Sequence, residues 1–293
     1  MGCCCSKDKK TSRLNDAAQP WPVPYLSKLE GHTIHSGQSI IIRGIVLKKT
    51  RFDINLCAGS RVEPGADQDD VVLQLSNRVD EQQVILNSLK DQQWGPEAKF
   101  KCDFVAGQPF DYRLRIHDNH FQVFGNHALL GTYEYRQPLD SITHIYVTGD
   151  IELNNVSWEG KYYKLPYEAM IPGNFSVDRK LFVSGLPLPN SKGFEITLYA
   201  GGDTAFHFNP RFDEKCVVRN SNFDGKWGKE ERKGKFPFHE KKTFDVVLCC
   251  ENEAFKCYVN DRLFCTYKHR IVASKIDKLK IDGNIDFQSV HLK

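Results

Sequence analysis

Short apolar or alternating runs, separated by turn residues, recur along most of the chain. Ile40–Leu47, Phe52–Leu56 and Phe244–Cys250 are examples, and their length and period of two residues predict β-strands. Asn near the centre of Phe121–Leu130 and of Phe255–Phe264 predicts two tight hairpins. No long stretch has the helical period of about 3.6 residues. The pattern therefore predicts an all-β protein made of antiparallel β-sandwiches.

The chain contains an internal two-fold repeat. Phe52–Gly59 parallels Phe194–Gly201, and Trp94-Gly-Pro-Glu97 parallels Trp227-Gly-Lys-Glu230. The spacing between the copies falls from 142 residues at the first pair to 133 at the second, so the first copy has nine extra residues. They lie in Ser60–Asp70, an acidic loop with Pro and Gly. We expect this loop to shape what the first copy binds.

A length of 293 residues suits two domains of ordinary size. We expect a flexible tail over residues 1–18, a first domain over 19–155 and a second domain over 156–293. The linker is expected near Asn154–Tyr167 and is too short to let the two domains move far apart.

The composition of the chain excludes several classes of function. A net charge of +3 is too small to demand a nucleic acid, so no nucleic-acid partner is expected. No run approaches the roughly 18 apolar residues of a membrane span, and no signal peptide follows Met1. The ten cysteines lack the paired C-x-x-C spacing of zinc sites. We therefore expect no metal and no cofactor, and buried, reduced thiols.

The second copy carries a strand of alternating polar and aromatic residues. His207, Asn209 and Arg211 alternate with Phe206 and Phe208, so the polar side chains should project from one face of the sheet and the phenylalanines from the other. Further polar or aromatic residues follow at Asn220, Trp227, Glu230 and Arg232. Such a face suits a sugar, because hydroxyl groups bond the polar side chains and the C–H face packs on an indole.

These seven residues resemble the galectin signature H-x-N-x-R … V-x-N … W-G-x-E-x-R in order and spacing. The resemblance implies a tandem-repeat galectin with two jelly-roll-like antiparallel β-sandwiches. It also implies binding of β-galactosides, with Trp227 stacked on the galactose ring. Glu230 and Arg232 would reach the neighbouring sugar.

The resemblance also assigns the galactose hydroxyls. His207, Asn209 and Arg211 would bond the axial 4-hydroxyl, and Asn220 and Glu230 the 6-hydroxyl. A lone His or Trp is more often structural, and the lysines around the Trp motif are compatible with a basic patch for nucleic acid. The joint spacing of all seven positions favours the sugar site.

The first copy keeps this frame with three changes. The corresponding residues are Gln74, Ser76, Arg78, Asn87, Trp94, Glu97 and Lys99. Gln74, Ser76 and Lys99 replace His, Asn and Arg, so a shorter hydroxyl and an ammonium stand in for an amide and a planar guanidinium. We expect the first copy to bind β-galactosides weakly or to prefer another glycan. A structural partner that binds no sugar is the alternative.

The N-terminal residues Met1-Gly2-Cys3-Cys4-Cys5-Ser6 fit a myristoylation pattern. We expect myristate on Gly2 and palmitate on Cys3, Cys4 or Cys5, because a single acyl chain holds a membrane only weakly, at about 10⁴ M⁻¹. The prediction is a lipid-anchored protein of the cytoplasm. Export by the unconventional route of galectins is one alternative, and an unmodified tail is another.

The sequence argues against an enzyme. It contains no nucleophile elbow, P-loop or dinucleotide fingerprint. Glu230 and Glu231 are neighbours that diverge on an extended segment, so they cannot flank a glycosidic bond. We predict a lectin that cross-links glycoproteins or glycolipids through two domains. The alternative is a membrane-tethered adaptor that uses both sandwiches for protein contacts.

Overall fold

The computed structural model describes residues 19–29 and 34–293. The predicted tail with its acylation site at Gly2 and Cys3–Cys5 lies outside the described residues. Described residues up to Tyr162 form one compact unit, here domain 1, and Tyr163–Glu240 with Phe244–Lys293 form domain 2. None of the helices in the described part of the chain is long and apolar enough to cross a membrane.

Domain 1 is a sandwich of two antiparallel sheets. Its outer sheet, which carries the candidate site, has the order β1-β11-β3-β4-β5-β6 with β7 paired to β5, and its second sheet has the order β10-β9-β8-β2-β12. The strands are β1 (Tyr25–Lys28), β2 (Ser39–Val46), β3 (Arg51–Cys57), β4 (Val71–Arg78), β5 (Gln83–Lys90), β6 (Gln93–Trp94), β7 (Ala98–Lys101), β8 (Pro109–Ile116), β9 (His120–Gly125), β10 (Ala128–Glu134), β11 (His144–Gly149) and β12 (Ile151–Glu159). One 3₁₀ turn spans Leu139–Ser141.

Domain 2 repeats this arrangement except for β7, which has no counterpart strand in its outer sheet among the described residues. Its outer sheet has the order β13-β22-β15-β16-β17-β18 and its second sheet the order β21-β20-β19-β14-β23. The strands are β13 (Tyr167–Met170), β14 (Lys180–Pro187), β15 (Phe194–Ala200), β16 (Asp203–Arg211), β17 (Cys216–Phe223), β18 (Lys226–Trp227), β19 (Phe244–Cys250), β20 (Ala254–Val259), β21 (Arg262–Lys268), β22 (Lys278–Gly283) and β23 (Ile285–Leu292). The second 3₁₀ turn spans Ala273–Lys275. The predicted all-β class with two antiparallel jelly-roll-like sandwiches is confirmed.

Apolar residues at every second position of the strands fill the space between the sheets. Ile54 and Leu75 from the outer sheet meet Leu114 and Val123 from the second sheet in domain 1. Because side chains alternate across a strand, the same packing sends the polar residues of β4 and β16 outward. Each domain therefore has a core of its own and one solvent-facing sheet available for ligands.

The last strand of domain 1 runs further than the sequence suggested. β12 pairs with β2 as far as Glu159 opposite Ser39, so the expected boundary between residues 155 and 156 falls inside this strand. Val156 is buried in the core of domain 1 and Trp158 packs against it. Apolar contacts hold the strand to domain 1, and the connection to β13 is residues 160–166.

Both predicted hairpins are present. Asn126 and His127 have φ of 47° and 67°, and Asn260 and Asp261 have φ of 49° and 61°. Two consecutive central residues with positive φ define the type I′ turn, whose twist matches that of the flanking strands. Asn tolerates this conformation better than most residues, which is why it marked both turns in the sequence.

The cysteines of the described residues are unpaired. Cys57, Cys102 and Cys257 are buried, as expected, whereas Cys216 and Cys249 are partly exposed. Burial raises the pKa of the Cys57 thiol to about 12 and that of Cys102 to about 11. These two thiols are therefore protonated at neutral pH and behave as small apolar side chains.

Candidate carbohydrate-binding sites

Strand β16 presents the central polar residues of domain 2 on the outer sheet face. His207, Asn209 and Arg211 are partly exposed there, while Phe206 and Phe208 are fully buried on the opposite face. This is the alternation that the sequence predicts. The neighbouring strand β17 places buried Asn220 directly opposite His207. The sheet thus gathers an imidazole, two amides and a guanidinium on one surface.

Trp227 borders this polar surface. It lies on the two-residue strand β18 opposite Asn222, and 54% of it is exposed. The centroids of its ring and the His207 ring are 5.3 Å apart, with the planes inclined at 59°. An exposed indole beside directional polar groups offers a flat apolar surface to a ligand.

His207 is oriented by a neighbouring strand. Its Nδ1 is 2.9 Å from the Thr197 hydroxyl of β15. Burial lowers the pKa of His207, although Glu195 opposes the shift. The imidazole is therefore neutral near pH 7, and when Thr197 donates to Nδ1 the other nitrogen carries the proton and can donate to a hydroxyl.

Two arginines and two glutamates form a closed cycle beside His207, which we call the Arg–Glu ring. The Arg211 Nη1 is 2.9 Å from Glu214 Oε1, and its Nη2 is 3.6 Å from Glu230 Oε1. The Arg232 Nε is 2.6 Å from Glu230 Oε2, and its Nη1 contacts Glu214. Planar guanidinium groups held in this way keep a defined direction for their remaining N–H donors.

Glu214 was not predicted from the sequence. It lies in the turn between β16 and β17, and its hydrogen bond from Arg211 is the main reason that its pKa lies below the usual value. The structure brings Glu230 between Arg211 and Arg232, and Glu214 completes the cycle from the other side. In the sequence, the only indication of this role for Glu214 is its position three residues after Arg211.

Asn209 is fixed by the backbone and by the Arg–Glu ring. Its Nδ2 donates to the Phe194 carbonyl at 2.7 Å, and its Oδ1 accepts from Arg211 Nε at 2.8 Å. The amide therefore sets the position of Arg211 as well as its own. A shorter side chain at this position cannot make both contacts.

Asn220 is fixed by an arginine that the sequence reading missed. Asn220 donates to the Gly228 carbonyl at 2.8 Å and accepts from Arg270 Nη1 at 2.9 Å. Domain 1 repeats the contact, since Arg136 Nη1 donates to Asn87 Oδ1 at 3.1 Å. Both arginines follow a tyrosine in the pattern Tyr-x-x-Arg, so the internal repeat contained the signal for this positioning residue.

Domain 1 places its counterparts on the same face. Gln74 and Asn87 are opposite each other on β4 and β5, but Gln74 Nε2 donates to Asn55 Oδ1 at 3.0 Å. Ser76 is 3% exposed, and its Oγ has no hydrogen-bond partner. The side chains that replace His207 and Asn209 are therefore one engaged amide and one buried, unsatisfied hydroxyl.

The ion pairs of domain 1 form an open chain. Arg78 lies 3.7 Å from both Glu81 and Glu97, and the Lys99 ammonium is 3.1 Å from Glu97. Within the described residues no further ion pair links Lys99 back to Glu81. Lys99 lies on β7, opposite Ile85, and its ammonium group lacks the rigid planar fork with which Arg232 contacts two carboxylates.

A cavity of about 660 Å³ lies along the outer sheet of domain 1. Trp94, which is 45% exposed, and Glu97 line one end. Val62 and Glu63 from the extra loop, together with Tyr146 of β11, line the other end. The loop that distinguishes the two copies in the sequence is thus a wall of this cavity.

A β-sandwich with directional polar groups beside an exposed indole on its outer sheet is a carbohydrate-binding domain, and the chain has two such domains. The galactoside-binding lectin family matches residues 24–158 and 166–292. The chain belongs to this family, known as the galectins, and the resemblance drawn from the motif is confirmed. A lectin binds sugars without cleaving them, in agreement with the prediction against an enzyme.

Individual relatives match over both domains. The chain is 40% identical over 274 residues to a 32 kDa beta-galactoside-binding lectin of Haemonchus contortus, covering 93% of this chain and 95% of that protein. It is 39% identical over 275 residues to a 32 kDa beta-galactoside-binding lectin of Caenorhabditis elegans, covering 93% and 97%. The crystal structure of the galectin LEC-6 of C. elegans is 27% identical, with a TM-score of 0.43, and covers 45% of this chain and 93% of that one.

Proposed function

We propose that the chain binds β-galactosides mainly through domain 2. The observation that carries this proposal is the Arg–Glu ring, which fixes two guanidinium groups beside neutral His207 and exposed Trp227. Relatives that match both domains bear the name beta-galactoside-binding lectin. In domain 1 the corresponding ion pairs do not close, so its donors are less well directed.

The geometry selects galactose through its axial 4-hydroxyl. When the C–H face of the sugar rests on Trp227, an axial hydroxyl points away from the mean ring plane, toward the strand that carries His207, Asn209 and Arg211. An equatorial 4-hydroxyl lies near the ring plane and leaves these partners unsatisfied. Because the bound sugar takes these groups out of water, leaving them without a hydrogen bond is costly, and glucose at this position binds poorly.

The remaining contacts fix the rest of a disaccharide. Asn220 and Glu230 take the 6-hydroxyl, and Glu230 with Arg232 reaches the neighbouring sugar. Asn220 is already oriented by Arg270, so little side-chain freedom is lost on binding.

Domain 1 is proposed as a weaker glycan site that uses Gln74, Ser76, Arg78, Asn87, Trp94, Glu97 and Lys99. Two sites of unequal strength in one chain cross-link glycoproteins or glycolipids, since the second binding event occurs at high effective concentration.

Acylation at Gly2 and at Cys3, Cys4 or Cys5 is proposed on the sequence pattern alone. It would attach the chain to the cytoplasmic side of a membrane. There the chain would meet galactosides on damaged vesicles; after export it would meet them outside the cell. Metabolic labelling with alkyne-tagged myristate tests this, and Gly2→Ala should abolish the label. Label retained in that variant would contradict the assignment.

The decisive experiment is a calorimetric titration of the full chain with lactose. Trp227→Ala should lower the affinity at least tenfold, as loss of a central aromatic contact does. Phe223→Ala is the matched control, because Phe223 is exposed on the same hairpin but pairs with Lys226 rather than bordering His207. Absence of lactose binding in the unaltered chain would contradict the proposal and favour the adaptor.

A further inference from the structure

The extra loop Ser60–Asp70 of domain 1 has a defined conformation. Its ends are joined by Arg61 and Asp69, with Nη2 and Oδ1 2.6 Å apart and the Arg61 backbone N–H donating to Asp69 Oδ2 at 2.9 Å. The side chain of Gln92 donates to the Gln68 carbonyl at 2.5 Å, which ties the loop to the hairpin that carries the site tryptophan. The loop is thus built into the site.

The inner side of the loop faces β11. Val62 packs against a small cluster of buried apolar residues that includes Val71 and Tyr146. The Tyr146 hydroxyl donates to Glu63 Oε1 at 3.0 Å. Val62 and Glu63 line the cavity that begins at Trp94, so a carboxylate borders its far end.

The chemistry of galactose determines what reaches this end. The proposed function places C4 over β4 and directs C6 toward Asn87 and Trp94. C3 is bonded to C4 on the side away from C5 and C6, so the 3-hydroxyl points toward β3 and β11. Anything attached there meets Asn55, Glu63 and Tyr146.

A polar atom in the cavity lacks a partner. Ser76 lines the cavity, is 3% exposed, and its Oγ makes no hydrogen bond. Buried hydroxyls are normally satisfied, and a sugar hydroxyl in the cavity would satisfy this one. The cavity therefore fits a polar, hydroxyl-rich ligand.

We propose that domain 1 selects neutral galactosides and rejects those with a sulfate or carboxylate on the 3-hydroxyl, and that Glu63 sets this specificity. This proposal rests on sugar binding by domain 1. A neutral sugar hydroxyl donates to Glu63, whereas an anion meets a like charge and loses its water. Arg51 does not offset this charge, because its Nε is paired with Asp53 at 2.9 Å.

Domain 2 lacks this wall. β15 ends at Ala200 and β16 begins at Asp203, so a tight turn replaces the loop. The position opposite Thr197 is Lys280, where domain 1 has Tyr146 opposite Asn55. The Lys280 ammonium is paired with Glu195 at 3.0 Å and with Asp282 at 3.1 Å, so an anionic substituent in domain 2 meets an ion-paired cluster instead of the Glu63 carboxylate. The two domains would therefore differ in how strongly they discriminate against anionic galactosides.

The test uses the full chain with Trp227→Ala and Arg211→Ala together, which removes lactose binding by domain 2; this doubly substituted chain is called the silenced chain. Three ligands are titrated: lactose, lactose with a neutral hexose on the galactose 3-hydroxyl, and lactose sulfated at that hydroxyl. The sulfated ligand should bind about fivefold more weakly than the neutral ones, a modest factor because Glu63 is solvent-accessible. Glu63→Gln, whose amide oxygen still accepts from Tyr146, should bring the three affinities within about twofold.

Asp67→Asn is the matched control, because Asp67 is an exposed carboxylate of the same loop outside the cavity lining, and it should change nothing. Equal affinities before the Glu63 substitution would overturn the proposal. A silenced chain that binds no saccharide, while the unaltered chain binds lactose, would overturn this proposal and leave the domain 2 lectin intact. Failure of the unaltered chain to bind lactose would remove the proposed function itself.

Discussion

The outer sheets of the two domains carry the same framework with different side-chain networks. Asn87 and Asn220 occupy one register position and are held by equivalent arginines, and Trp94 and Trp227 are similarly exposed. The difference lies in the ion pairs, which close into a ring around Arg211 and Arg232 but end at Lys99 in domain 1. The sandwich fixes the positions of the hydrogen-bond donors, and a few ion-paired side chains fix their orientation.

The strongest way to break this contrast is to open the Arg–Glu ring. Arg211→Ala in the full chain should lower lactose affinity about 100-fold, or about 3 kcal/mol, because a charged donor is lost and two carboxylates lose a partner. Calorimetry measures the loss, and an unchanged melting midpoint shows that the fold is intact. Arg78→Ala, the equivalent change in domain 1, should leave the lactose affinity of domain 2 unaltered; an equal loss there would contradict the assignment of the main site.

The difference between the domains can also be tested by introducing the residues of the domain 2 site into domain 1. Gln74→His, Ser76→Asn and Lys99→Arg, introduced together in a chain with Trp227→Ala, should raise the lactose affinity of domain 1 about tenfold, since an imidazole, a longer amide and one planar guanidinium replace weaker donors.

The three single changes are the controls for this transplant. Each alone should achieve less than the combination, because the members of a hydrogen-bonded network act together. If the combined variant binds lactose no more tightly than the starting chain, the loop Ser60–Asp70 or strand β7 limits the lactose affinity of domain 1.

Substitution of Glu214 tests whether a residue outside the family motif contributes to lactose affinity. Glu214→Gln should weaken lactose binding about fivefold, because it removes the charge that links Arg211 to Arg232 while preserving size. Glu81→Gln in domain 1 should change binding less than twofold, since Glu81 contacts only Arg78 among the site cations of the described residues. Titrations of both variants decide the point, and a larger effect at Glu81 would contradict the importance of ring closure.

The smallest expected effect is a difference in pH dependence. Burial lowers the pKa of His207 below its ordinary value near 6.5, so the imidazole of domain 2 stays neutral as pH falls through 6.5. Lactose affinity should be constant from pH 8 to 6.5 and should decline only below that range. Unfolded chains bind the proton first, so this residue also makes stability fall slightly below pH 6.5.

His207→Gln should remove the acid-side decline, because the amide that domain 1 carries at Gln74 does not titrate. Lactose titrations at several pH values, with melting curves to monitor folding, measure both effects. An unaltered acid-side decline in this variant would assign the titration to another group.

Most of the fold was predictable from local pattern. Alternation of Phe206 and Phe208 with His207 and Asn209 predicted which face of β16 is buried, because side-chain direction in a strand has a period of two. Asn126 and Asn260 predicted hairpins for an equally local reason, the positive φ of type I′ turns. The sandwich class followed from many short strands without helical period.

What the sequence could not reveal involves contacts between distant segments. Glu214 contacts Arg232 from 18 positions away, and Arg270 donates to Asn220 from 50 positions away, so both contacts depend on tertiary packing. The true end of β12 depends on the packing of Val156 and Trp158 against a core formed much earlier in the chain. A boundary inferred from repeats alone misses this contact.

The sequence by itself determined the all-β class, the two-fold repeat and the seven-residue motif of domain 2, because strand periodicity and motif spacing are properties of neighbouring residues. Only the tertiary structure decided that Glu214 closes the Arg–Glu ring, that Arg136 and Arg270 orient the amides, and that the loop bearing Glu63 becomes a cavity wall. These depend on packing between segments that are far apart in the chain, as with Glu63 and Tyr146, which are 83 positions apart.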